Sequence, residues 1–296
     1  MREAGRLGHD QLFKRVLEKF LKEFLELFFP AVARRPDFGT VTFLDKELPL
    51  DFPKGTTREV DVAARLETHE GEPEVVLVHV EVQWRPERDF PRRMFEYSTL
   101  LWLRERVPIF PIVLYLQGGK GLTDEEYQQS LFGREVFRFR YASVGLARLR
   151  AEEYVGTEPL GVALAALMTR TRYPDPPLLR LKMLRRVMKS GLDEARKFLL
   201  VNIIETYFEL SDEEQRRFER LLSRKEYRTV REVKETWSDR MRAEGKRETL
   251  LRLLASRFGP LSPETIAKVN AVPSAEEVDA YAERVVSAAS LEDVGL

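Results

Sequence analysis

The chain has 296 residues, 43% of them hydrophobic and 10% aromatic, enough to bury a sizeable core and to exclude a disordered polymer. Its 49 basic and 49 acidic residues cancel, so any surface for a polyanion has to be a local patch. With no cysteine and only His9, His69 and His79, disulfides, thiolate metal sites and cysteine nucleophiles are excluded, and a metal would have to be held by carboxylates, which suit magnesium, manganese or calcium.

No apolar run approaches the roughly 20 residues of a membrane span, and the charged N-terminus lacks the layout of a signal peptide. The expectation is a cytoplasmic protein with no membrane contact. The first element is a helix from Asp10 to Phe29, in which Phe13, Val16, Leu17, Phe20, Phe24, Leu27 and Phe28 form an apolar stripe closed by Pro30. A strand follows at Thr40–Leu48, then a Pro/Gly loop over 52–57. Two more strands, Arg58–Glu67 and Glu74–Gln83, flank the turn THEGEP at 68–73. A helix is expected at Phe90–Arg106, a buried strand at Pro108–Gln117 stopped by Gly118 and Gly119, and a short closing strand at Val136–Tyr141. This order predicts an α/β core over 1–150, α-β-β-β-α-β, a mixed sheet flanked by helices.

Beyond Ala151 the periodicity is helical. Segments at 158–172, 177–190, 192–209 and 211–224 make a helical extension over 151–240, which ends in a highly charged connecting helix at 225–248. Residues 241–296 form a small C-terminal helical module with breaks at Gly259-Pro260 and Val272-Pro273. Ser274 and Glu277 have the spacing of a capping box there.

The two strands around Gly71 sort cleanly when paired as a hairpin. Opposed residues then have numbers summing to 142. Val60 faces Val82, Val62 faces Val80, Ala64 faces Val78 and Leu66 faces Val76, all apolar. A one-residue slip would break the sorting. The other face sets Glu59 against Gln83, Asp61 against Glu81 and Ala63 against His79. Like charges about 5 Å apart at Cβ destabilise a sheet. A divalent cation shared by Asp61 and Glu81 would offset that cost. On a wetted face the two would instead splay apart or pair with Arg58 or Arg65.

These residues carry a resemblance. A strand aspartate, a turn and a strand Glu-x-Gln, set between a leading helix and an arginine-bearing helix, resemble the PD-(D/E)XK nuclease superfamily. More narrowly, HDQLFK at 9–14, LDKEL at 44–48, REVDV at 58–62, HVEVQ at 79–83 and FPRRMFEY at 90–97 resemble the Rpn family of recombination-promoting nucleases, often labelled transposases. The likeness covers residues 5–240, and the last 50 residues resemble a helical module that accompanies such proteins.

The resemblance implies a restriction-endonuclease-like core and a metal-dependent endonuclease acting on DNA with Mg2+, or with Mn2+ or Ca2+ in its place. It makes Asp61 and Glu81 metal ligands together with the backbone carbonyl of Val82. Gln83 becomes the third catalytic position, where many members carry lysine; glutamine cannot supply positive charge but can orient a water. The proline that the wider pattern sets near the first aspartate is absent, since Glu59-Val60 precede Asp61. Asp10, otherwise a natural N-cap, becomes an accessory acid, Lys14 a phosphate contact, and His79 an accessory group beside Glu81. Arg85, Arg88, Arg92 and Arg93 supply charge for DNA phosphates. A second candidate surface is 134–197, with 14 lysines and arginines against 7 acidic residues, a net of +7.

Three functions stay open at this point: an endonuclease, a nuclease-fold module that binds DNA or assembles without cutting, and a component of mobile-element recombination. A homodimer would make double-strand cutting simple.

Overall fold

The computed structural model describes residues 4–44, 47–48, 58–69, 75–168, 174–288 and 290–295. The chain divides into two compact units, Met1–Leu210 and Ser211–Leu296.

The first unit is an α/β layer structure. Helix α1 (Ala4–Phe28) starts earlier than the sequence suggests, so Asp10 lies inside it and is not its N-cap. Of the expected stripe, Phe13, Val16, Leu17, Phe20, Phe24 and Phe28 are at 2% exposure or less, Leu27 is only half-buried, and Leu21 and Leu25 are buried beside them. A short turn of helix, α2 (Pro30–Ala33), follows with proline at its first position, where the missing N–H costs nothing.

Six strands form a mixed sheet: β1 (Pro36–Phe43), β4 (Val62–Thr68), β5 (Val75–Gln83), β6 (Ile109–Tyr115), β7 (Leu122–Leu131) and β8 (Arg134–Gly145), in spatial order β1-β4-β5-β6-β8-β7. The short strands β2 (Glu47–Leu48) and β3 (Arg58–Glu59) pair separately. The strand expected at 58–67 is therefore two pieces, broken at Val60-Asp61. The loop at 52–57 lies outside the described residues.

The β4–β5 register is the one the apolar sorting requires. Val62 opposes Val80, Ala64 opposes Val78 and Leu66 opposes Val76. The β5–β6 pairing is parallel, with helix α3 (Phe90–Glu105) as the crossover. Pro111 is tolerated in this central strand because the β6–β8 ladder begins only at Ile112.

β7 has no counterpart in the sequence reading. LTDEEYQQSL lacks the β-branched alternation of a half-buried strand and is exposed along most of its length. It forms because β8, longer than the expected 136–141, pairs with it from Leu122 to Leu131. Phe132 and Gly133 close the hairpin, both at positive φ. Phe95 of α3 stacks on Phe137 at 4.7 Å and meets Tyr127 at 5.6 Å.

α3 covers one face of the sheet. Tyr97 and Leu101 pack on Ala63 and Leu77, and Phe90 and Met94 on Val113, Tyr115 and Tyr141. The other face meets the α1 side, where Phe29 lies edge-on to Phe110. Helices α4 (Pro159–Leu164), α5 (Pro176–Met188) and α6 (Glu194–Tyr207) complete that layer. Arg196 of α6 stacks on Phe20 and pairs with Glu23 of α1.

The second unit contains α7 (Asp212–Leu222), α8 (Arg228–Phe258), α9 (Pro263–Ala271), α10 (Ala275–Ser287) and α11 (Leu291–Val294). The charged stretch expected to connect runs unbroken into the C-terminal helices as part of the 31-residue α8. Leu250 and Leu254 pack there with Val269, Val272, Val278 and Val285. Ser274 caps α10 by accepting from the Glu277 N–H at 3.2 Å, and donates its hydroxyl to the Glu277 carboxylate at 3.0 Å. No helix among the described residues is long and apolar enough to cross a membrane.

Candidate acid site at the strand break

Asp61 leaves the sheet just before β4 begins, and this bend builds the site. A regular ladder would set Asp61 and Glu81 opposite each other as bare like charges. The chain instead gives each carboxylate a backbone donor from its neighbour. Val82 N–H donates to Asp61 Oδ2 at 2.7 Å, and Asp61 N–H donates to Glu81 Oε1 at 3.2 Å. The Asp61 side chain thus stands in for the strand that Val82 lacks there. The expected cross-strand pair becomes a reciprocal clasp, because hydrogen bonds to the charged form relieve the repulsion.

Both acids are buried, Asp61 at 7% and Glu81 at 3% exposure. Lys14, reaching in from α1, sets Nζ 2.8 Å from Asp61 Oδ1. His79 is fully buried and sets Nε2 2.8 Å from Glu81 Oε1. Its ring lies edge-on to Tyr97, and its Nδ1 has no hydrogen-bond partner among the described residues. Burial holds the Glu81 carboxyl above the usual carboxylate range, and the charge of Asp61 pushes it further, against the hydrogen bond and charge of His79.

Gln83 lies at the end of the same strand. Its Oε1 accepts from Arg93 at 2.9 Å; Arg93 also pairs with Glu87 at 3.3 Å and stacks over Phe90. This changes what a lysine at 83 would do. Its ammonium would meet the Arg93 guanidinium. Gln83→Lys is expected to lose about 1 kcal/mol or more of stability, read as a melting temperature roughly 2–4 °C lower, and Gln83→Lys/Arg93→Gln to regain it. A single variant as stable as the parent would refute this repulsion.

The structure thus brings together Lys14, Asp61, His79, Glu81, Val82 and Gln83, with Arg93 beside them. Arg85 and Arg88 are exposed in the loop before α3, and Arg92 pairs with Glu96 along that helix. The side chains of His9 and Asp10 lie outside the described part, as do Asp45 and Lys46.

In the second basic region several of the cations are already paired. Arg138, Arg150, Arg180, Arg196 and Lys197 each pair with a glutamate. Lys182, Arg185 and Arg186 are exposed on α5 and Lys189 just after it, with Arg186 also donating to the carbonyls of Gly156 and Thr157. The two contacts that sequence reasoning missed, Lys14 to Asp61 and Arg93 to Gln83, join elements far apart in the chain. No local spacing carries a signal for them.

Among the described residues no group of three or more His, Asp or Glu side chains is assembled for a metal ion. The donor set is two carboxylates, to which the Val82 carbonyl would add one oxygen. Such a set fits Mg2+, which is commonly held by one or two carboxylates while water and substrate phosphate fill the other positions. No family model matches the sequence, and no curated protein or solved structure matches it either.

Proposed function

We propose that this chain is a divalent-metal-dependent nuclease of the PD-(D/E)XK class that hydrolyses DNA phosphodiester bonds. One observation carries the reading: two acids, clasped together and buried beside Lys14, at the point where the sheet breaks. Burying charge there costs the fold, and residues that cost the fold point to chemistry. DNA as the polymer rests on the Rpn-like motifs.

Asp61, Glu81 and the Val82 carbonyl would hold the ion, with Mg2+ first and Mn2+ or Ca2+ as alternatives. When bound, it supplies Lewis acidity and a lowered water pKa. The chain's own residues do the rest. His79 fixes Glu81 Oε1, and Arg93 fixes the amide of Gln83, whose remaining lone pair and NH2 group can orient the attacking water. Arg85, Arg88 and Arg92 offer charge to flanking phosphates. In the reaction the water oxygen bonds to phosphorus as the P–O3′ bond breaks. The 3′ oxygen takes up a proton and leaves as a hydroxyl, and the phosphate stays on the 5′ side. The setting is read as the cytoplasm, in keeping with a chain free of cysteine.

The test is supercoiled plasmid incubated with the purified chain and Mg2+, Mn2+, Ca2+ or EDTA. Metal-dependent conversion to nicked or linear DNA is expected; linear product in one step would indicate a homodimer. DNA retarded on a gel but never cut, with any of the ions, would move the reading to a binding module, the function that Gln83 in place of lysine favours.

A further inference from the structure

β7 ends the sheet, and no described strand pairs with its outer edge. Such an edge is commonly blunted by lysine, by proline or by a bulge of its own. LTDEEYQQSL has no lysine or proline, and the irregularity in its ladder places the extra residue, Val136, in β8. Its acids, Asp124, Glu125 and Glu126, all lie in the first half, whereas Gln128–Leu131 carries amides, a hydroxyl and a leucine. Leu122 and Leu131 at its ends and Phe132 in the turn are exposed. The Gly145 N–H donates to the Gly121 carbonyl at 2.9 Å, which sets the alternation along the strand. Odd-numbered residues of β7 turn their main-chain groups towards β8, and even-numbered ones turn theirs outward.

We propose that the outer edge of β7 pairs antiparallel with β7 of a second copy of this chain, across a two-fold axis at Tyr127. A two-fold normal to a sheet keeps every side chain on its own face, so opposed residues share parity and their numbers have an even sum. A sum of 252 sets Glu126 against its own copy, a like-charge pair that destabilises a sheet. A sum of 256 sets Glu125 against Leu131 and Asp124 against Phe132. A sum of 254 sets Asp124 against Ser130, Glu125 against Gln129 and Glu126 against Gln128, so each acid meets an amide or a hydroxyl. It also covers Leu122 with Phe132 and stacks Tyr127 on its copy. Within each chain Glu126 lies near Arg138 and Arg140 of β8, and Glu125 accepts from the Tyr141 hydroxyl. The acidic half of the strand thus complements its own uncharged half only when the partner is an antiparallel copy. The contact is isologous and closes at two chains, joining two six-stranded sheets into one. It does not rest on the nuclease reading above.

Sedimentation velocity of the full chain should show a dimer that dissociates on dilution. Gln129 is exposed and faces Phe137 on its own chain, so a charge there meets an opposed charge only across the axis. Gln129→Glu would face Glu125 of the copy twice, and should weaken the dimer about 10-fold; Gln129→Lys should tighten it by a similar factor. Opposite shifts from one exposed position do not come from a change in folding. The chain has no cysteine, so introduced thiols read the register directly. Asp124→Cys and Ser130→Cys chains, mixed and treated with a short bismaleimide, should give a cross-linked dimer. Neither should do so by itself, because each position then lies about 20 Å along the strand from its own copy. A chain that stays monomeric at every concentration, a dimer that responds to both charges alike or to neither, a mixture that gives no cross-link, or cross-linking by Asp124→Cys without its partner would each overturn this pairing.

Discussion

Asp61→Asn is expected to abolish metal-dependent cleavage while leaving the chain folded. The asparagine can still accept from the Val82 N–H, a bond that holds the end of β5 at 2.7 Å. It loses the negative oxygen that Lys14 neutralises and that a cation would need. Metal supplies several kcal/mol of transition-state stabilisation, and each 1.4 kcal/mol is tenfold in rate, so the loss should be about 1000-fold or more. The rise in melting temperature that Mg2+ or Mn2+ gives the wild-type chain by mass action should vanish with it. Asp61→Ala should do the same and also unfold more easily, because it orphans the buried Val82 N–H and removes the carboxylate beside Lys14, a loss of about 1–3 kcal/mol. Cleavage within tenfold of wild type in a folded Asp61→Asn would remove Asp61 from the site.

Glu81→Gln should act in the opposite direction on the fold. The amide oxygen keeps the donors at Oε1, from His79 at 2.8 Å and from Asp61 N–H at 3.2 Å. The buried charge and its repulsion with Asp61 disappear. Without metal the variant should melt roughly 2–4 °C higher, equivalent to about 1 kcal/mol in a unit of this size, and cleavage should be lost. The sign follows from the raised Glu81 carboxyl. The folded chain holds the proton more tightly than the unfolded one, so Glu81 adds no penalty at low pH. The penalty grows as pH rises above the unfolded value of about 4.3. The gain from Glu81→Gln should therefore be largest at neutral pH and fade towards pH 4. Calorimetric melts in EDTA across that range measure it; a variant that melts lower at neutral pH would show that Glu81 is held by its partners at no net cost.

What could be read from the sequence was whatever one face of one element decides. The hairpin register followed from the apolar pairs at Val62, Ala64 and Leu66, because a slip would wet a buried face. The aromatic stripe of α1 followed from its period. The acids were found because two like charges on one face ask for a reason. The bend at Asp61 was not legible, since it depends on side chains taking over main-chain bonds, and Val60 and Asp61 look like any other strand residues. β7 was hidden for a different reason: its order comes from β8 and from α3 beneath it, not from its own composition. The partners of Lys14 and Gln83 depended on where α1 and α3 cross the strand ends, which only the folded chain decides.

The clasp also bears on how such a site would decay. Asp61 serves the fold, since it closes the hydrogen bond of Val82, and on the proposed reading it serves the chemistry too. On the proposed reading, Glu81 burdens the fold and would be kept for its part in the chemistry. In a lineage released from selection for cutting, drift at position 81 towards glutamine or an apolar residue would be unopposed or even favoured, while the aspartate would persist as a structural relic. On that reading a descendant that retains the aspartate alone would be uninformative about activity, and one that retains both acids would be expected to cut.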